Sequence, residues 1–232
     1  MTSIRASCRY HAAMKSRLAA LALAVFVATL GSSCRSIYYG TMEAFGVEKR
    51  DILVDRVEEG RDAQKEAKAE FKSALEAFKA ATNFKGGELE TTYDKLNGSY
   101  EASAEKAGAV GDKIGSIEKV SSDLFEEWQT EIDSMQNVEL RAKSAAMRRD
   151  TKERCKALIT AMRTAEKKMT PVLTAFHDHV LFLKHNLNAQ AIASLQGSLA
   201  GIETDVTALV ADMEKSIAEA DAFIQQVQGK KP

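Results

Sequence analysis

The chain has 232 residues with two prolines, thirteen glycines and 6% aromatic side chains, a composition that argues against a sheet-built enzyme fold. Its 45% hydrophobic and 28% charged content suits amphipathic helices with covered apolar stripes and argues against disorder. The formal net charge of −1 combines two unlike regions, a basic leader and an acidic body.

Residues 1–33 read as a signal peptide. They hold no Asp or Glu but four cations, Arg5, Arg9, Lys15 and Arg17, followed by the apolar run Leu18 to Leu30 and the small residues Gly31, Ser32 and Ser33. That run is shorter than the roughly 17 to 25 residues a membrane-spanning helix needs, so a cleaved leader is expected rather than a permanent anchor. Met14 would begin a signal of ordinary length, which leaves residues 1–13, with Cys8 and His11, as an upstream extension or a misassigned start. The stretch Leu30-Gly31-Ser32-Ser33-Cys34 resembles the lipobox of bacterial lipoproteins, although the leucine lies one position further back than usual. The resemblance implies that Cys34 is diacylated on sulfur, becomes the new N-terminus and is then N-acylated. Several acyl chains meet the requirement of at least two hydrophobic signals for stable anchoring. Ordinary cleavage near this cysteine, or an uncleaved anchor, is the alternative.

Taking four cations from the 32 Lys and Arg leaves 28 against 33 Asp and Glu, so the body carries a net charge of −5. That charge opposes general attraction to nucleic acid or anionic lipid. With Cys34 acylated, Cys155 has no internal disulfide partner and reads as a small buried apolar side chain.

Residues 34–42 form a lipidated tether, and residues 43–228 one helical-bundle domain. The first helix, Glu43 to about Ala81, carries Phe45, Ile52, Leu53, Val57, Ala67, Phe71, Ala74, Leu75 and Phe78 near one face, with a weakly apolar middle. Thr82 to Gly87 breaks it. The second, Glu88 to about Met135, steps through Leu89, Tyr93, Leu96, Tyr100, Ala104, Ala107, Gly111, Ile114, Ile117, Ser121, Leu124, Trp128, Ile132 and Met135 at about the 3.5-residue spacing of a coiled coil, with Asn97-Gly98 as a local fault.

Ser134, Gln136 and Asn137 signal the next turn. The third helix, about Val138 to His185, has the stripe Met147, Leu158, Met162, Met169, Leu173, Phe176, Val180 and Leu183, with a kink or a restart expected at Thr170-Pro171. After the connection His185 to Asn188, with either asparagine as cap, the fourth helix runs from Ala189 to Val227. Its stripe is Ile192, Leu195, Leu199, Ile202, Val206, Leu209, Met213, Ile217, Ala220, Ile224 and Val227. The expected fold is therefore all-α, an elongated antiparallel bundle of about four long coiled-coil-like helices.

The run Pro171-Val172-Leu173, the segment Asp178 to Leu195, the later Ser216-Ile217 and Ala220 to Phe223, and the early Tyr38 to Arg50 region are similar to the bacterial envelope family labelled domain of unknown function 2959. The likeness covers nearly all of residues 37–227. It implies an exported helical protein or lipoprotein, and brings no activity, cofactor or catalytic residue.

One cluster invites a chemical reading: His177, Asp178, His179 and His185. Residues two apart on a helix point about 200° apart, and His177 and His185 lie about 12 Å apart along the axis, so one metal ion is a poor fit. The residues three before these histidines, Thr174, Phe176 and Phe182, are not acidic, unlike the Glu-x-x-His pairs of di-iron bundles. Lys184, Asn186, Asn188 and Gln190 could form a recognition patch, but asparagine at a helix junction more often caps backbone amides.

No nucleophile-and-base pair or glycine-rich phosphate loop is evident, so neither an enzyme nor a cofactor is expected. The leading expectation is a lipid-anchored envelope protein facing the periplasm or the exterior and acting as a scaffold or interaction module. Self-association through the stripes of the second and fourth helices is expected, and nucleic acid is not a partner. The alternative is a membrane-shaping elongated bundle, which normally needs a basic concave face.

Overall fold

The computed structural model describes residues 48–83, 89–186 and 188–229. The expected boundaries at residues 33 and 42, the helical start at Glu43 and Phe45 lie outside them. The chain divides into two compact units, residues 1–49 and 50–232, and the description below concerns the second.

Four helices account for nearly all described residues: α1 (Lys49–Thr82), α2 (Leu89–Ser134), α3 (Val138–His185) and α4 (Ala189–Val227). Among the described residues there is no strand. The ends are set by local chemistry. Thr82 Oγ1 and Asn83 Nδ2 both donate to the Lys79 carbonyl as α1 closes. The Asn137 side chain accepts from the Glu139 and Leu140 amides to start α3, and Asn188 accepts from the Ala191 amide to start α4. The potential fault at Asn97-Gly98 lies inside an unbroken α2, where Asn97 Nδ2 donates to Glu101 Oε1 at 2.9 Å.

Cross-helix partners fix the topology. Lys113–Glu59 and Lys106–Glu66 join α1 to α2, Arg163–Glu118 joins α2 to α3, and Lys168–Asp212 joins α3 to α4. Arg61–Asp221 and Lys79–Glu203 join α4 back to α1. In each helix pair linked more than once, residue numbers rise on one helix as they fall on the other, so neighbours are antiparallel in up-down-up-down order. Core contacts cross the diagonal between α1 and α3, where Phe78 meets Phe176 with ring centroids 6.3 Å apart. Phe71, Ile114, Ile117, Met162, Leu195, Leu209 and Met213 are among the fully buried side chains.

Three expectations need correction. In the middle of α2 the covered row passes through Ser103 and Val110 rather than Ala104 and Gly111, and near its end Phe125 is buried while Leu124 and Trp128 are only half-buried. Small residues give either face little apolar area, so the spacing alone tolerated a one-residue slip. Met147 is 63% exposed instead of lying in the core. Finally, α3 does not restart at Thr170, because the helix is continuous through Pro171. Pro171 sits on the exposed face, where the carbonyl of exposed Lys167 that it leaves without an amide donor can meet water, while Met169 and Val172 on either side are anchored in the core.

Candidate functional site

The histidines at the C-terminal end of α3 are drawn into aromatic packing on different helices, as their roughly opposite directions on a helix require. His177 stacks on Tyr100 of α2 at 4.9 Å, and His179 meets the edge of Phe78 of α1 at 5.2 Å. His185 is exposed at the helix end. The cavity beside His179, bounded by Ala74, Phe78, Leu96, Tyr100 and Val180, is about 10 Å³, room for one water at most. Among the described residues no three His, Cys, Asp or Glu side chains converge as a metal site requires.

Burial holds the His179 pKa below its ordinary 6.5, against an opposing pull from Asp178. A folded-state pKa below the unfolded value means that the unfolded chain takes up the proton first as pH falls. Stability is therefore full above about 6.5 and declines as pH drops below that value, until the folded-state pKa is reached. Urea midpoints are expected to fall between about pH 7.5 and pH 5.5, and the fall should be smaller in His179→Asn. Equal slopes in the two proteins would show that His179 does not carry the effect.

A fully enclosed polar pair lies elsewhere, midway along the bundle. Gln64 of α1 and Ser216 of α4 are both completely buried, and the Ser216 hydroxyl lies within hydrogen-bond reach of Gln64 Oε1 and of the Met213 carbonyl. Gln64 Nε2 has no hydrogen-bond partner among the described residues. One turn earlier, Gly60 lets the helices close in, since a Cβ there would stand 2.8 Å from Ile117 Cδ1 and 3.2 Å from Met162 Cε. Sequence reasoning missed both residues. Positions 57, 60, 64, 67 and 71 step by three and four, so the signal was available, but a glycine and a glutamine did not count as apolar.

Cys155 is also sealed. Burial pushes its thiol up to about 11, opposed by a hydrogen bond with Ser121, so it stays protonated at neutral pH and is a poor nucleophile. Beside it an open groove of about 330 Å³ between α2 and α3 is lined by Phe125, Arg148, Lys152 and Thr160 among others. Arg163 clamps the same two helices, reaching Glu118 at 2.6 Å and Glu166 at 2.7 Å, and its hydrogen bond, with its charge, holds the Glu118 carboxyl below the usual range against the opposing effect of burial. Asn186 and Asn188 act as caps, with Asn186 Nδ2 donating to the Phe182 carbonyl at 2.9 Å. The remaining site residue read from the sequence, Cys34, lies outside the described residues.

None of the described helices is long and apolar enough to cross a membrane. The family described as "Protein of unknown function (DUF2959)" matches residues 38–227. No curated protein matches, and no solved structure matches.

Proposed function

We propose that this chain, which belongs to the DUF2959 family of proteins of unknown function, is an exported lipoprotein of the bacterial envelope, tethered through Cys34 and acting as a non-enzymatic scaffold or protein-interaction module. The observation that carries the tether is the leader itself, a basic start and an apolar run ending in Gly31-Ser32-Ser33-Cys34. The family match starts after Cys34, so lipidation rests on those residues alone.

Support for a scaffold comes from the way polar chemistry is used in the bundle. His177 and His179 pack against aromatic rings, the Cys155 thiol is buried, and the ion pairs bridge neighbouring helices at its surface. A long helical body on an acyl anchor holds its surfaces at a membrane without crossing it.

Metabolic labelling with a palmitate analogue tests the reading. Wild-type protein is expected to carry label and Cys34→Ser none. Label retained in Cys34→Ser would place the lipid elsewhere and remove the proposed tether.

A further inference from the structure

The seam between α1 and α2 lacks large apolar side chains in its middle. From Arg61 to Glu70 α1 reads Arg-Asp-Ala-Gln-Lys-Glu-Ala-Lys-Ala-Glu, with no apolar side chain larger than alanine. The register set by Lys113–Glu59 and Lys106–Glu66 places about residues 102–111 of α2 opposite this stretch. From Glu101 to Ala109 α2 likewise holds nothing apolar larger than alanine. The fold thus sets two runs of small and polar residues face to face over about 14 Å, at 1.5 Å per residue. On either side α1 is anchored by large buried side chains, Ile52, Leu53, Val54 and Val57 before the stretch and Phe71, Leu75 and Phe78 after it.

Within the two runs only Gln64 and Ala67 of α1 and Ser103 of α2 are buried. Two of these three carry an unmet polar atom, since Gln64 Nε2 and Ser103 Oγ have no hydrogen-bond partner among the described residues. The Ser216 hydroxyl beside them faces two acceptors, Gln64 Oε1 and the Met213 carbonyl, with one proton to give. A buried polar group that water cannot reach forfeits the hydrogen bond it makes in solvent, so water entering here would restore bonds that closure leaves unmade. What holds the stretch closed lies at its edges. Lys106–Glu66 at 2.9 Å reaches α2, and Arg61–Asp221 at 3.0 Å and Lys68–Glu214 at 3.4 Å reach α4. The carboxylates of all three pairs are open to solvent, so each pair holds weakly and salt screens it.

We propose that this middle is an opening point built into the bundle. Residues 61–70 of α1 part from residues 101–109 of α2 and admit water to Gln64 and Ser103, while the apolar stretches on both sides keep α1 seated. Val110 and Met213, sealed close by, become partly wet when the seam opens, so the open form is a minor state that salt favours. The opening does not depend on a tether at Cys34.

Amide hydrogen exchange of the intact chain, read by mass spectrometry on overlapping peptides, tests this. Residues 61–70 and 101–109 should exchange at least about tenfold faster than residues 52–57 and 71–78. Raising NaCl from about 0.05 M to about 0.5 M should speed the two stretches at least about threefold and leave the flanks unchanged. Glu66→Lys should speed them too, and Lys106→Glu added to it should restore the wild-type rate, because the pair is rebuilt with its charges exchanged. Gln64→Leu with Ser216→Ala should slow exchange in both stretches at least about threefold, since the interior then gains less from water. Unchanged exchange in the flanking peptides shows that each variant is folded. Stretches as protected as their flanks, rates indifferent to salt or to the charge exchange, or a Gln64→Leu, Ser216→Ala chain that exchanges as fast as wild type would overturn the proposal.

Discussion

Replacing Phe71 with alanine is expected to lower the stability of the bundle by about 3 to 5 kcal/mol. Phe71 is completely buried near the middle of α1, on the same row as Ala67, Ala74 and Phe78. The loss combines the transfer energy of the ring with the cavity left behind, because packed helices relax only in part. Domains are typically stable by about 5 to 15 kcal/mol, so this one substitution removes a large share. Chemical denaturation monitored by helical circular dichroism measures it, with Met147→Ala at an exposed position of α3 as the comparison, expected within about 0.5 kcal/mol of wild type. A Phe71→Ala cost below about 1 kcal/mol would mean that this row is not the core.

Gly60→Leu is expected to destabilise by about 1 to 3 kcal/mol or more, through crowding rather than a cavity. The space where the new side chain must go is filled by Ile117 and Met162, both without solvent exposure. Each contacting atom ends a flexible side chain, so a single added methyl could be accommodated by a small shift, but a leucine could not. The control is Gly201→Ala in α4, where nothing lies within 4 Å of the added Cβ. There the gain in helix propensity, about 1 kcal/mol, should appear as stabilisation. Opposite signs for the two glycines would show that close approach at Gly60 is the constraint. If Gly60→Leu were neutral, α1 would not pack as closely on α2 and α3 as described.

These two residues also show where sequence reading reaches its limit. Apart from the start of α1, whose expected position lies outside the described residues, helix ends were legible to within a residue or two because their signals are local: Asn137 and Asn188 cap the starts of α3 and α4, and Thr82-Asn83 closes α1. The α4 stripe was legible because branched apolar residues recur without interruption, and nearly all of it is buried. In α2 the serines, alanines and glycines between Ser103 and Gly115 gave two adjacent rows similar apolar weight, and only the neighbouring helices decide between Val110 and Gly111. Gln64 was invisible because its burial depends on Ser216, more than 150 positions away. Met147 fitted the apolar spacing of α3 but lies where, among the described residues, only α2 accompanies it. Periodicity reports which residues share a face and not whether another helix covers that face. Pro171 taught the converse, since an exposed position in a helix held by core residues on both sides can carry a proline without ending it.

Sequence carries the functional account too, through a segment outside the described residues. The central claim is that Cys34 becomes a lipid-bearing N-terminus, and mass spectrometry of the mature N-terminal peptide tests it most directly. The account predicts a peptide that starts at Cys34 and carries the added mass of a thioether diglyceride and an amide-linked acyl chain, with that species absent from Cys34→Ser. A wild-type N-terminal peptide that contains unmodified Cys34, or that begins beyond it, would contradict the account.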